Sequence, residues 1–442
     1  MILRAGVIRN LLLVGLLSLA PKIAFVVRDL LIAAQYGMSD QLDAFVVALS
    51  VPSLIMQILG QAIAAALVPS FIQARNDQGR PEAVLLAGRA ITFSMILLGA
   101  VTLVMELAGP WIIPALFSGF SPEKQSLTIT YYSYLTPLVF FQGCVIICTA
   151  LLNANDCFGL ISVVPLITPS AVIAVSRLFP DMEHMTPLVL ATVIGGGMEI
   201  GSILWMLRKH EFTIWNSQKL SQLRPLIQQA IPVAVGMCLS NANIIIDQVF
   251  ASFQGSGGTS NLSYGNKVPS FMLSMAALPL STVLFPYFSK MVISTPPEQI
   301  RRSVRMWMLA LLGVFIPVTC VAMFLSPWVV EFLFQHGRFH ADDTEIVTRI
   351  QIAYLAQTPG YILAMIIGRV LSALQKNTVI LTVSFVSFAV NMYLDYVLSH
   401  YIGISGIAAS TSFVYTLSSI ILMISLDLIL KKKCAGSGTV IS

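Results

Sequence analysis

Charge is scarce in this chain. Asp, Glu, Lys and Arg make up only 10% of its 442 residues, against 57% hydrophobic, and the mean hydropathy is +0.85. A soluble protein of this size could not reach those values without exposing apolar surface to water, so that class is excluded. The chain also lacks a long polar segment. Its longest polar connection, 209–224, leaves no room for a catalytic domain, and no outer loop brings together a nucleophile, a base and an orienting group. No basic stretch interleaved with aromatics is present to bind nucleic acid. The six cysteines include no CxxC pair, and Cys144, Cys148, Cys238 and Cys320 fall inside apolar runs as small core hydrophobes. Nor does a small-x-small cleavage site follow the apolar run 11–20; Pro21 and Lys22 stand there instead, which argues against a cleaved leader.

What the chain does have is long apolar runs. At about 20 residues per crossing, they predict an all-α polytopic membrane protein with about twelve transmembrane helices, near 8–35, 41–70, 83–108, 127–152, 158–179, 186–208, 226–251, 264–289, 303–325, 346–374, 378–400 and 404–430. The spans divide six and six. The expected organisation is an N-terminal lobe (1–212), a cytoplasmic linker (213–225), a C-terminal lobe (226–430) and a tail (431–442), with the lobes around a central cavity. Basic residues support this map: with the N-terminus inside, seventeen of the 25 Lys and Arg fall in cytoplasmic segments, and only Lys124 and Arg338 in outer loops. Both termini are then cytoplasmic, and the net charge of +5 reflects topology.

The halves resemble each other. Leu67-Val68-Pro69-Ser70-Phe71 is echoed by Leu284-Phe285-Pro286-Tyr287-Phe288, Leu116-Phe117 by Leu333-Phe334, and Tyr134-Leu135 with Pro137 by Tyr354-Leu355 with Pro359. With six spans in each copy the repeat keeps its orientation, which is the parallel-repeat plan of many secondary transporters and implies alternating access.

The charges that do enter the spans are therefore informative. Lys22, Arg28 and Asp29 lie within the first apolar stretch, where each charge costs about 2.5–3.5 kcal/mol at mid-bilayer depth. Such residues line a polar pathway or pair with one another. Deeper in the chain, Asp247 sits in the seventh span, Asn391 and Asp395 lie one helical turn apart in the eleventh, and Thr411 lies in the twelfth. Carboxylates, an amide carbonyl and a hydroxyl near the midplane suit a hard cation such as sodium, or else form a hydrogen-bond cluster between helices. His336 and His340, near Asp342, Asp343 and Glu345, read as a solvated loop rather than a metal site. Glu199, after Gly195-Gly196-Gly197, is a cavity acid or a local partner, and Asn153, Asn155 and Asp156 read as a turn.

Pro21-Lys22 through Arg28-Asp29, then Tyr36-Gly37, Asp43-Ala44-Phe45, Val51-Pro52 and Leu67-Val68-Pro69, resembles the opening of the MurJ (MviN) lipid II flippases. Leu333-Phe334-Gln335 to Asp343-Thr344, and Ala373-Leu374-Gln375-Lys376, resemble the same family around its tenth span. The resemblance implies a flippase of the bacterial cytoplasmic membrane that moves an undecaprenyl-linked saccharide to the outer leaflet. Its expected partners are that lipid and the surrounding membrane lipids, with a monomer as the expected state. On this reading Lys22, Arg28 and Lys267 meet the pyrophosphate, and Asp29 and Asp43 match cavity acids of the family. Asp247, Asn391, Asp395 and Thr411 match the set with which some members bind sodium, the only cofactor implied. Two positions depart from the family: Met56 replaces an arginine and Gln61 an acid. The chain also ends after twelve spans, where typical members add two. A related saccharide lipid, such as an exopolysaccharide or O-antigen precursor, and a cation-coupled drug or metabolite antiporter of the same superfamily stay open as alternatives.

Overall fold

A computed structural model describes residues 5–155, 157, 159–179, 184–212 and 223–437. Among these every regular element is helical. The chain divides into two compact units, Met1–Asn241 and Ala242–Ser442. The division falls within a helix, whereas residues 213–222 of the linker expected between the lobes lie outside the described residues, as does the tail beyond 437.

The first unit holds α1 (Ala5–Tyr36), α2 (Asp40–Asp77), α3 (Arg80–Leu116), α4 (Pro122–Leu135), α5 (Pro137–Ala154), two single 3₁₀ turns (Leu160–Ser162 and Val164–Leu166), α6 (Ile167–Leu178) and α7 (Thr186–Lys209). Next comes α8 (Arg224–Ser252), within which the units meet. Helix α2 is the hub of the first unit, packing on α3, α4 and α5, while α7 packs on α5 and α6. The buried faces are rich in small residues: Ala44, Ala48, Ala62 and Ala66 on α2, and Ala83, Ala87 and Ala90 on α3. In lipid no hydrophobic drive separates one apolar helix from another, so close backbone approach and van der Waals contact must hold them together, and alanine permits both. Gly109 serves the same end, since a Cβ there would come within 2.6 Å of the Tyr132 ring. Polar ties join α1 to α6: Gln35 Nε2 donates to the Ser176 carbonyl at 3.0 Å, and Ser176 Oγ donates to Gln35 Oε1 at 2.9 Å.

The second unit continues with α9 (Gly258–Gly265), α10 (Lys267–Ser294), α11 (Pro297–Phe334), α12 (Ala341–Leu355), α13 (Gln357–Ala373), α14 (Asn377–Ile402) and α15 (Ile404–Ser437). Its main core is built by α10, α11, α13 and α15, with Phe288, Ile300, Ile366, Ile367, Val370 and Leu430 almost fully enclosed. The outward faces are apolar too: Phe324, Trp328 and Phe332 on α11 are 70%, 55% and 79% exposed. That is the surface of a helix whose solvent is hydrocarbon.

Ten helical segments among the described residues are long and apolar enough to cross a membrane. Helices α1 and α10, of 32 and 28 residues, stand at the other two expected positions. At 1.5 Å per residue both exceed a hydrocarbon core about 30 Å thick.

Three expectations are corrected in detail. The fourth and tenth spans are not single helices. Each is divided at one residue, Thr136 between α4 and α5 and Ala356 between α12 and α13, with Pro137 and Pro359 following. A proline has no N–H to give the preceding turn, so the ladder breaks just upstream of it. The same defect at the same place in both halves agrees with the repeat. Second, the segment 255–261, expected as an outer loop, enters α9, whose Thr259, Ser260 and Asn261 are buried. Gly257, at φ +77°, supplies the left-handed residue that starts this helix. Third, Lys124 belongs to α4 rather than to a solvated loop, and it is only 6% exposed.

Candidate functional site

In the first unit, α1 carries Lys22 exposed, Arg28 partly buried and Asp29 buried. Arg28 donates to a single oxygen of its neighbour: Nε lies 2.9 Å and Nη2 2.6 Å from Asp29 Oδ1. Its guanidinium carbon also lies 4.8 Å from the centre of the Phe25 ring. The pairing of neighbours that intramembrane charges favour is thus realised. The bond to Asp29 uses Nε and Nη2 and leaves Nη1 out of it.

Asp43 has a different setting. It lies in the first turn of α2, fully enclosed, and the ammonium of Lys124 reaches it from the first turn of α4. The same nitrogen lies 2.9 Å from Asp40 and 4.2 Å from the centre of the Phe120 ring. Ser121 caps α4, accepting from the Lys124 backbone N–H at 3.3 Å, and so fixes where the lysine starts. Asp43 therefore anchors α4 to α2. Sequence reasoning missed Lys124; the signal was two acids, Asp40 and Asp43, in one helical turn with no basic residue nearby in sequence.

Glu199 on α7 is also enclosed, accepting from Gln142 Nε2 and from the Thr168 N–H at 3.1 Å. It ties α5, α6 and α7 together. His340 caps α12 in a reciprocal box with Asp343, whose carboxylate accepts from the His340 N–H at 2.9 Å. The histidine pair is thus a capped turn, and no group of three His, Cys, Asp or Glu among the described residues is placed to hold a metal. Asn155 caps the end of α5, and Asp156 lies outside the described residues.

The second unit brings all four residues of the other constellation together. Asn391 Nδ2 donates to Asp247 Oδ1 at 3.1 Å and to Asp395 Oδ2 at 2.7 Å, and Thr411 Oγ1 donates to Asp247 Oδ2 at 3.2 Å. Ser410, which sequence reasoning passed over although it adjoins Thr411, donates to the remaining oxygen, Asp395 Oδ1. Asn391, Asp395 and Ser410 are completely enclosed, and Asp247 is 7% exposed. Each carboxylate oxygen thus has one neutral donor, and neither carboxylate takes part in an ion pair among the described residues.

Two carboxylates bridged by one amide nitrogen lie no more than about 6 Å apart, where like charges repel by about 3 kcal/mol at an effective dielectric of 20. A proton or a cation is needed to relieve this. Asn391 Oδ1 and Gln248 Oε1 are buried with no hydrogen-bond partner. An orphaned buried acceptor is unfavourable unless a ligand meets it. Asn391 presents its amide nitrogen to both carboxylates here; with that amide turned over so that Oδ1 faced them, the four residues would offer oxygen atoms only, two of them anionic, a set that fits a hard cation.

A cavity of about 300 Å³ opens beside this cluster, lined among others by Asp247, Gln248, Ser263, Lys267 and Tyr354. Lys267 is the first residue of α10, and its ammonium lies 5.7 Å from the centre of the Tyr264 ring. Lys267 and Asp247, assigned separately from sequence, thus face one cavity. Lys22, Arg28, Asp29 and Asp43 belong to the other unit.

Comparison with known proteins identifies the lineage. The family described as "Lipid II flippase MurJ" matches residues 32–438. Among curated relatives, the chain is 24% identical over 417 residues to the probable lipid II flippase MurJ of Buchnera aphidicola subsp. Acyrthosiphon pisum, covering 92% of this chain and 81% of that one. It is also 24% identical over 430 residues to the lipid II flippase MurJ of Burkholderia cenocepacia, covering 95% and 83%. Among solved structures, it superposes on a lipid II flippase MurJ in an inward closed conformation with a TM-score of 0.80 at 23% identity, covering 94% of this chain and 87% of that one. An inward-facing multidrug transporter of the MATE family follows with a TM-score of 0.77 at 12% identity, covering 94% and 96%. The chain belongs to the MurJ family.

Proposed function

We propose that this member of the MurJ family is a flippase that carries an undecaprenyl-pyrophosphate-linked saccharide, lipid II, from the inner to the outer leaflet of the bacterial cytoplasmic membrane by alternating access. The family's work is transport rather than catalysis, and the folded chain offers the membrane helices for it. Its fold is shared with multidrug transporters, so the fold does not choose the cargo. Individual side chains do. The observation that carries the reading is Arg28, held partly buried in an apolar helix by Asp29 through Nε and Nη2. A polyprenyl tail can stay in lipid while the pyrophosphate must cross, and a guanidinium in a low-dielectric setting makes strong charge-assisted bonds to phosphate oxygens. Lys22 and Lys267 add positive charge that would repel a cationic drug. Asp29 orients Arg28. Asp43 acts at one remove, because its carboxylate is taken up by Lys124.

The test is outer-face appearance of the polyprenyl-pyrophosphate saccharide in proteoliposomes, measured alongside protein abundance. Arg28→Ala should cut translocation by about 10- to 100-fold, as expected for losing a charged hydrogen bond worth about 1.5–3 kcal/mol. Arg28→Lys should keep part of the activity. Lys267→Arg should be tolerated, because the guanidinium adds a bidentate fork. Full transport by the Arg28→Ala, Lys267→Ala double variant at normal abundance would overturn the anionic-headgroup reading.

For energy, the residues that would hold a sodium ion are Asp247, Asn391, Asp395 and Thr411, with Ser410 orienting Asp395. The ion would supply the positive charge that the paired carboxylates lack. We place both termini on the cytoplasmic side, following the basic residues at the ends of the spans.

A further inference from the structure

At one end of the second unit, α11 and α15 enclose a cavity of about 530 Å³, within the ~300–1,000 Å³ typical of ligand sites. Its polar side is formed by Arg301, Arg305, Asp427 and Lys431, and its apolar side includes Met308 and Ile424. Arg301 and Arg305 stand one turn apart on α11, and Asp427 and Lys431 one turn apart on α15. Asp427 joins the two helices: it accepts from Arg301 Nε and lies 3.0 Å from Lys431 Nζ. Arg301 also lies 3.7 Å from Glu298, so Arg301, Arg305 and Lys431 stand against two carboxylates, a net excess of one positive charge. Arg305 is in no ion pair among the described residues, although it lines the same cavity.

The place of the cavity narrows the ligand. It lies where basic residues cluster at the ends of two spans, and one turn further along α11 the residues turn lipid-facing, Trp307 being 37% and Leu309 62% exposed. Tryptophan favours the headgroup level of a bilayer. Cations at headgroup depth above an apolar wall match a molecule that carries its own anion and its own hydrocarbon. A free phosphate would use only the upper half, and a zwitterionic lipid would bring no net charge to the excess positive charge.

We infer that this cavity is a binding site for an anionic glycerophospholipid of the phosphatidylglycerol class, with its phosphate on Arg305 between Arg301 and Lys431 and an acyl chain along Met308 and Ile424. None of these residues belongs to the transport or cation constellations above. Asp427 acts as the spacer that holds Arg301 and Lys431 apart at the mouth.

The experiment measures lipid retention by native mass spectrometry and melting of the purified full chain, titrated with phosphatidylglycerol, with phosphatidylcholine or with inorganic phosphate. Phosphatidylglycerol should bind more tightly than phosphatidylcholine and raise the melting temperature, while inorganic phosphate at the same concentration should do neither. Arg305→Ala should weaken phosphatidylglycerol binding about fivefold, the weight of one basic residue beside an anionic surface. Arg305→Lys should keep most of it and shows that the fold survives. Arg302→Ala, at the same end of α11 but outside the cavity, should change little. Equal binding of the two lipids, equal losses in the Arg302 and Arg305 variants, or an effect of inorganic phosphate matching that of the lipid would each overturn the assignment.

Discussion

If the carboxylate pair in the second unit is a sodium site, replacing Asp395 by Asn should abolish the difference in stability between sodium and sodium-free buffer. In wild type, Asp247 and Asp395 are bridged by the Asn391 amide at 3.1 and 2.7 Å. Their mutual repulsion, about 3 kcal/mol at an effective dielectric of 20, disfavours the ion-free state. Asp395→Asn removes that repulsion together with the site, so without sodium the variant should melt at or above wild type. With sodium at about 100 times its dissociation constant, wild type gains about 2.7 kcal/mol, because the ion binds only the folded protein. For a cooperative unit of roughly 200 residues this amounts to about 5–10 °C. The variant should gain nothing. The assay is thermal melting of the purified protein in sodium chloride and in choline chloride at equal ionic strength, with Thr411→Val as an intermediate case that loses one neutral oxygen. Identical wild-type melting in the two salts would refute the reasoning and leave the four residues as a hydrogen-bond cluster between helices.

Two more expectations concern architecture. Lys124→Ala should lower stability and membrane abundance by the equivalent of about 3–5 kcal/mol, since it takes the ammonium counter-charge from the fully enclosed Asp43; Asp43→Asn in the same chain should restore most of the loss, and an unchanged melting curve for Lys124→Ala would show the pair to be dispensable. In a background freed of native cysteines, Arg338→Cys in the exposed turn before α12 should react with a membrane-impermeant thiol reagent added outside, whereas Lys376→Cys in the exposed turn after α13 should react only after permeabilisation; the opposite pattern would invert the topology.

Hydropathy made most of the fold legible, because a bilayer forces every crossing to be both apolar and helical. The divisions at Thr136 and Ala356 were not legible as breaks, since mean hydropathy marks a span and not its internal interruptions, and only Pro137 and Pro359 mark the place. The buried helix α9 was hidden for a different reason. Residues 255–261 read Gly-Ser-Gly-Gly-Thr-Ser-Asn, the composition of a loop, yet small polar side chains can be enclosed when the local backbone satisfies them, as Ser260 Oγ does by donating to the Gly257 carbonyl at 3.2 Å. Composition alone cannot tell a solvated loop from a tightly packed small helix.

The candidate sites were legible in proportion to how improbable their residues are in lipid. Asn391 and Asp395 announce themselves by a four-residue spacing inside an apolar helix, and Asp247 by its depth. What could not be read was partnership across the chain: Asp43 finds Lys124 at a separation of 81 residues, and no local pattern encodes that choice. The same holds for Lys267 and Asp247, twenty positions apart in sequence and facing one cavity of about 300 Å³. A cavity of that volume is about 8 Å across, so a charge bound on one side is felt on the other by about 2 kcal/mol at an effective dielectric of 20. An anion that neutralises Lys267 removes a repulsion from any cation approaching Asp247. By linkage, a cation held at Asp247 must favour the anion at Lys267 by the same amount. A coupling of the proposed cargo to the proposed ion would therefore need no long-range relay; the shared wall of one cavity would carry it.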